Sequence, residues 1–151
     1  MDEDKKLGFI FSEVLTEIVS TISGFSIDVL SEDKDNDFEE MTGMMSLSGQ
    51  NSGMLFISAK ENDIRILCSY MIGVTQDEVT TSDIEDTLCE LVNMTAGSVK
   101  LRLSGSDYMF NLSQPFLIKG QNKKLVTKNK THIISKTLGN GEISIKLKVI
   151  H

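Results

Sequence analysis

Leu88-Cys-Glu90-Leu-Val-Asn93-Met-Thr-Ala-Gly97 repeats, at a constant offset, the pattern of Leu15-Thr-Glu17-Ile-Val-Ser20-Thr-Ile-Ser-Gly24. A glycine-turned hairpin candidate follows each copy, GQNSG at 49–53 in the first half and GNG at 139–141 in the second. The repeat predicts two related helix-plus-hairpin halves around one sheet. The second copy lies in the longest predicted helix, residues 82–103, with Ser82 or Asp83 as N-cap, acids in the first turn and Gly105 helping to end it. A helix advances ~100° per residue. With Asp86 at zero, Glu90 falls near ~40°, Asn93 near ~340° and Gly97 near ~20°, one narrow stripe. Ile84, Leu88, Leu91, Thr95 and Val99 cluster opposite and are expected to face the core, which turns Asp86, Glu90 and Asn93 to solvent. Asn and Gly are poor helix-interior residues, so the stripe gives up local stability. Gly97 would let another surface approach closely. An acid one turn from an amide is a compact polar device, in which the amide can orient a water and the acid can pair with a partner's cation. The same spacing also suits the solvated face of an ordinary amphipathic helix.

Outward from this helix, residues 7–23 read as an amphipathic helix with Phe11, Leu15, Ile18 and Ile22 at helical spacing and Gly24 as its stop. A strand could begin at Ile27–Leu30, followed by the polar loop SEDKDND. Strands are expected around Met41–Ser48 and Gly53–Ser58, then a second helix over 61–72 ending at Gly73. After the long helix come strands near Tyr108–Leu112 and Phe116–Lys119. A last hairpin runs Thr131–Thr137 and Glu142–Ile150, its second strand alternating through Ile143, Ile145, Leu147 and Val149. The expected fold class is α/β of the α+β kind: one domain over 1–151, with a central, largely antiparallel sheet, long helices packed on it, and two pseudo-symmetric halves.

Composition narrows the function. Hydrophobic residues make up 40% and charged residues 25% of the chain, enough for a core without disulfides. Cys68 and Cys89 are isolated, which predicts buried thiols in a reducing compartment. The acidic start MDEDKKLGFIFSEVL has no long apolar run, so no signal peptide is read, and nothing approaches a membrane span. The expected location is the cytoplasm, where the sequons at Asn93, Asn111 and Asn129 carry no meaning. Net charge is −7. Six lysines between Lys119 and Lys136 are interleaved with Asn, Gln and Thr rather than aromatics, which points to a solvated hairpin or loop rather than a nucleic-acid footprint. Asp33-Lys-Asp35-Asn-Asp37 starts like a calcium loop but has Phe38 where glycine is needed and Met44 where a glutamate is needed. His132 and His151 share no motif with each other or with a carboxylate, so no metal ligands are predicted. No phosphate loop or GxSxG occurs, and the eight methionines read as adaptable core.

Asp86-x3-Glu90-x2-Asn93, with Pro115 after twenty-one intervening residues, resembles the signature of the CheC/CheX family of chemotaxis phosphatases. Glu90–Gly97 is similar to that family's helix core, and Phe110-Asn-Leu-Ser-Gln-Pro-Phe-Leu-Ile-Lys-Gly120 to the Ser-x-Pro strand segment that follows it. Upstream, Leu47–Ile57 and the helix ending Met71-Ile-Gly73 resemble the family's hairpin and second helix. The resemblance implies hydrolysis of an aspartyl-phosphate on a CheY-like receiver domain, with Mg²⁺ supplied by the receiver and no cofactor of the chain's own. It implies that Asn93 orients the attacking water and Glu90 pairs with a receiver lysine, with Asp86 supporting and Pro115 structural. Where the second copy has Asp86, Glu90 and Asn93, the first has Glu13, Glu17 and Ser20; serine cannot present an amide, so one active motif is expected. One motif resembles the CheX type rather than the CheC type and implies a homodimer. A non-catalytic receiver-docking or flagellar-switch-like adaptor of the same fold stands as the alternative.

Overall fold

The computed structural model describes residues 2–127 and 132–151. Helix α1 spans Glu3–Ser23, α2 Glu61–Ile72 and α3 Thr81–Arg102; the strands are β1 Asp28–Glu32, β2 Met41–Gly49, β3 Gly53–Ala59, β4 Phe110–Leu112, β5 Phe116–Lys119, β6 Ile133–Gly139 and β7 Ser144–Ile150. All strand pairs are antiparallel and form one sheet in the order β1-β6-β7-β3-β2-β4, with β5 also on β2. The order is the same read from either side once the halves are exchanged. The hairpins β2-β3 and β6-β7 meet at the centre, and each half's post-helix strand pairs with the other half's hairpin. This is the arrangement the repeat predicts. Helix α2 belongs to the first half alone.

Leu55, Ile57 and Ala59 of β3 and Ile145, Leu147 and Val149 of β7 alternate toward the three helices and share one buried cluster with Leu15, Ile18, Leu67, Leu88 and Val92. The other face carries Phe56, Ser58, Lys146 and Lys148. Residues 33–40 cross it: Phe38 lies 5.2 Å from the Phe56 ring, Thr137 donates to Asp33 at 2.6 Å, and Asp35 stands 3.9 Å from both lysine ammonium groups. Of the acids read as the start of a calcium-like loop, Asp35 therefore faces lysines of β7, while Asp33 accepts from Thr137 of β6 and Asp37 pairs with Lys124 at 3.7 Å.

Several boundaries differ from expectation. Helix α1 begins at Glu3 rather than Leu7, because Asp2 accepts from Lys5 N at 2.8 Å and a charged first turn carries no apolar stripe. The N-cap of α3 is Thr80, not Ser82 or Asp83. Asp83 N donates to Thr80 Oγ1 at 3.1 Å and Thr80 N to Asp83 Oδ2 at 2.9 Å, a reciprocal cap that places Asp83 inside the first turn. Glu142 lies in the last turn, where its N–H and that of Ile143 donate to Asn140 Oδ1. Thr131 is outside the described residues. Cys68 is buried as expected, and Cys89 is half-buried. No helix among the described residues is long and apolar enough to cross a membrane.

Candidate functional site on helix α3

The site begins with how α3 is seated. Ile84, Leu88, Leu91, Thr95 and Val99 are buried, joined by Thr87, Val92 and Ala96 on the flanks of the same arc. The helix lies close over β2 at Gly43, where an added Cβ would come 2.7 Å from Val92 Cγ2 and 3.2 Å from Leu88 Cγ. Lys100 and Arg102 in the last turn and Asp83 in the first complement the helix dipole.

With that arc buried, Asp86, Glu90 and Asn93 are all exposed, as the helical spacing requires. Among the described residues none of their side chains makes a hydrogen bond or ion pair within the chain. Gly97 is half-covered, and a Cβ there would meet nothing within 4 Å, so the surface is open at that point. Leu101, one turn further on, is 79% exposed and continues the same line. Glu85, one residue off the stripe, is held by Lys119 of β5 at 2.9 Å. Burial pushes the Cys89 thiol up, and the neighbouring Asp86 and Glu85 carboxylates push it further, so this thiol is not an activated nucleophile.

The first-half copy is in a different state. Arg102, from the end of α3, donates to Glu13 Oε2 at 2.9 Å and to both carboxylate oxygens of Glu17 at 2.9 and 3.0 Å. Those two acids correspond to Asp86 and Glu90, and Ser20 stands where the amide would be. No sequence motif announces Arg102, because its reach depends on how α1 and α3 pack.

Pro115 sits in the edge of the sheet between β4 and β5, both of which pair with β2. Through this break Ser46 N donates to Ser113 Oγ at 3.0 Å instead of to a backbone carbonyl. A proline belongs at such an edge interruption, where no ladder donor is required.

A second cluster of polar side chains, which no sequence motif marks, joins α1 to the ends of β6 and β7. His132 Nδ1 lies 2.9 Å from Asp4 Oδ2, and His151 Nε2 lies 2.7 Å from Asp4 Oδ1. Partial burial would raise the Asp4 carboxyl, but the two imidazoles outweigh it and hold it below the usual carboxylate range.

A profile of the family described as chemotaxis phosphatase CheX matches residues 41–137, about two thirds of the chain and all of the α3 stripe. The chain belongs to the CheX family. A search of curated proteins gives no match. Among solved structures, the fold is similar to a CheC-like superfamily protein from Shewanella sp. PV-4 (TM-score 0.84, 22% identity, covering 99% of this chain and 98% of that one). It is also similar to the chemotaxis protein CheX from Vibrio vulnificus (TM-score 0.84, 16% identity, 97% and 99%). A third similarity is to a chain in the CheX-CheY-BeF3-Mg²⁺ complex from Borrelia burgdorferi (TM-score 0.74, 14% identity, 95% and 96%). At these identities the structures establish a shared CheX/CheC-like fold, and the family profile establishes membership.

Proposed function

We propose that this protein hydrolyses the aspartyl-phosphate of a CheY-like response regulator, using the exposed stripe of α3. One observation carries the reading: Asp86, Glu90, Asn93 and Gly97 form a single outward line whose side chains pair with none of the described residues, while the matching acids of α1 are clamped by Arg102. Catalysis would rest on positioning. The Asn93 carbonyl oxygen accepts a hydrogen bond from a water and turns its lone pair toward phosphorus. Water forms the new P–O bond, the bond between phosphorus and the receiver's aspartate oxygen breaks, and the water's protons pass to phosphate and solvent. The products are a free aspartate and inorganic phosphate. Glu90 pairs with a lysine of the receiver and fixes the relative placement of the two proteins. Asp86 adds negative charge at the rim, Gly97 lets the receiver's backbone approach, and Leu101 offers an apolar contact beyond it. On this reading Mg²⁺ arrives with the receiver; that a related solved complex contains CheX, CheY, BeF3 and Mg²⁺ together supports it. Membership of the family further supports a homodimer acting in the cytoplasm, with neither nucleic acid nor membrane as partner.

The test is phosphate release from a phosphorylated receiver domain. Wild-type protein is expected to accelerate release well beyond the receiver's own rate. Asn93→Ala should lose at least about 100-fold of that acceleration with an unchanged melting temperature. No acceleration by the wild type would favour the adaptor alternative. Full activity in Asn93→Ala would remove the amide from the mechanism.

A further inference from the structure

Asp4, His132 and His151 come from three separate parts of the chain, yet their ligand atoms all lie within 4.8 Å of one another. The backbone produces this convergence. His132 N donates to His151 O and His151 N to His132 O, both at 3.0 Å, so the two residues form a directly opposed pair that continues the β6-β7 ladder by one step. Opposed residues of an antiparallel ladder project from the same face. Accordingly the imidazoles stack with centroids 5.2 Å apart and planes 23° apart. The first turn of α1 then delivers the Asp4 carboxylate to both rings. Tyr108 packs edge-on against His151 with centroids 6.2 Å apart, which fixes that ring.

The contacts inside the cluster are uneven. Asp4 and His132 form an ordinary hydrogen bond at 2.9 Å. His151 Nε2 is buried and, although 2.7 Å from Asp4 Oδ1, does not meet hydrogen-bond geometry with it or with any other described group. A ring nitrogen close to a carboxylate oxygen, out of line with it and shielded from solvent, is a ligand atom without a proper partner.

We propose that Asp4, His132 and His151 form a binding site for a divalent transition-metal ion, zinc foremost, that ties the start of α1 to the ends of β6 and β7. Two imidazole nitrogens and a carboxylate oxygen suit zinc better than magnesium or calcium, which prefer all-oxygen sets. Ligand atoms ~2.0–2.2 Å from a tetrahedral centre lie roughly 3.4 Å from one another, so modest rotations of the exposed Asp4 and His132 side chains would close the site around an ion. Water would take the fourth position. The site is separate from the α3 stripe and does not depend on the phosphatase reading.

The experiment is a zinc titration of the full chain after chelator treatment, followed by calorimetry and thermal melting. The expected result is saturable binding of one equivalent, with the melting temperature raised by about 5 °C or more when free zinc is ~100 times Kd. His132 is largely exposed, so His132→Ala should fold normally and lose at least about tenfold in affinity. Cys89→Ser should bind as the wild type does, and Co²⁺ should show tetrahedral visible bands without a thiolate charge-transfer band. The proposal is overturned by the absence of saturable binding in the wild type, by undiminished affinity in His132→Ala, or by loss of binding in Cys89→Ser.

Discussion

Glu90 and Asn93 stand one turn apart on the same helix face, and their different chemistry predicts different kinetic faults. A carboxylate that pairs with a partner's lysine contributes to the encounter and the docked complex, whereas an amide that turns a water toward phosphorus contributes to the chemical step. Glu90→Ala should therefore raise KM for the phosphorylated receiver by at least about tenfold and make association less sensitive to salt, with a smaller fall in kcat. Asn93→Ala should show the reverse split. Steady-state kinetics at two ionic strengths check both; a pure kcat defect in Glu90→Ala would mean that the acid acts on the reacting groups rather than on docking. Glu17 has the same residue type and helix position as Glu90, but both of its oxygens are taken by Arg102. Position in a pattern does not make an acid available; its neighbours decide that.

At the scale of the element, what the sequence revealed about α3 follows from periodicity. The 100° advance sorts its residues into a buried arc and an exposed line, and the folded helix has that division. Its start differs because Thr80, Thr81, Ser82 and Asp83 are four consecutive residues able to cap a helix, all ahead of Ile84, and the folded chain selects Thr80 through its reciprocal bonds with Asp83. Short exposed strands were similarly hard to delimit: β1 is exposed at every position and β4 has three residues, too few to show alternation. Arg102 and the Asp4–His132–His151 cluster were not legible at all, because each depends on contacts between segments far apart in sequence. The seat of α3 gives a direct test of its packing. A methyl group at Gly43 would collide with Val92 and crowd Leu88, so Gly43→Ala must push the helix outward or strain its core side chains. Such overpacking typically costs about 1–3 kcal/mol, a fall of roughly 2–12 °C in melting temperature for a chain of this size. Because the stripe rides on that helix, phosphatase activity should fall with stability, measured well below the melting temperature. An unchanged melting temperature would show that β2 and α3 are less closely apposed.

For the molecule as a whole, the sheet poses an asymmetric problem. One face is covered by three helices, while the other relies on residues 33–40, a strap with little apolar surface of its own. Lys148 lies where the strap crosses the centre of the sheet. It has no exposed surface, donates to Ser135 Oγ at 2.6 Å and to Asp35 O at 3.3 Å, and its ammonium sits 5.8 Å from the centre of the Phe38 ring. Burial pushes this lysine below its ordinary pKa; Asp35 opposes that shift and Lys146 adds to it. The folded-state value is therefore lower than the unfolded one, near ~10.4. Between the two values the unfolded chain holds more protons, so this group makes stability rise with pH across that window; below the folded value, the cost of burying the charge is present in full. Lys148→Met keeps the apolar stem and removes the titration. The stability of the wild type relative to this variant should thus increase as pH is raised from neutrality toward 10, measured by denaturant unfolding at each pH. A difference that stays flat would show that Lys148 titrates at its ordinary pKa, and that the strap is fastened by Phe38 on Phe56 and Asp33 on Thr137 instead of by a buried ammonium.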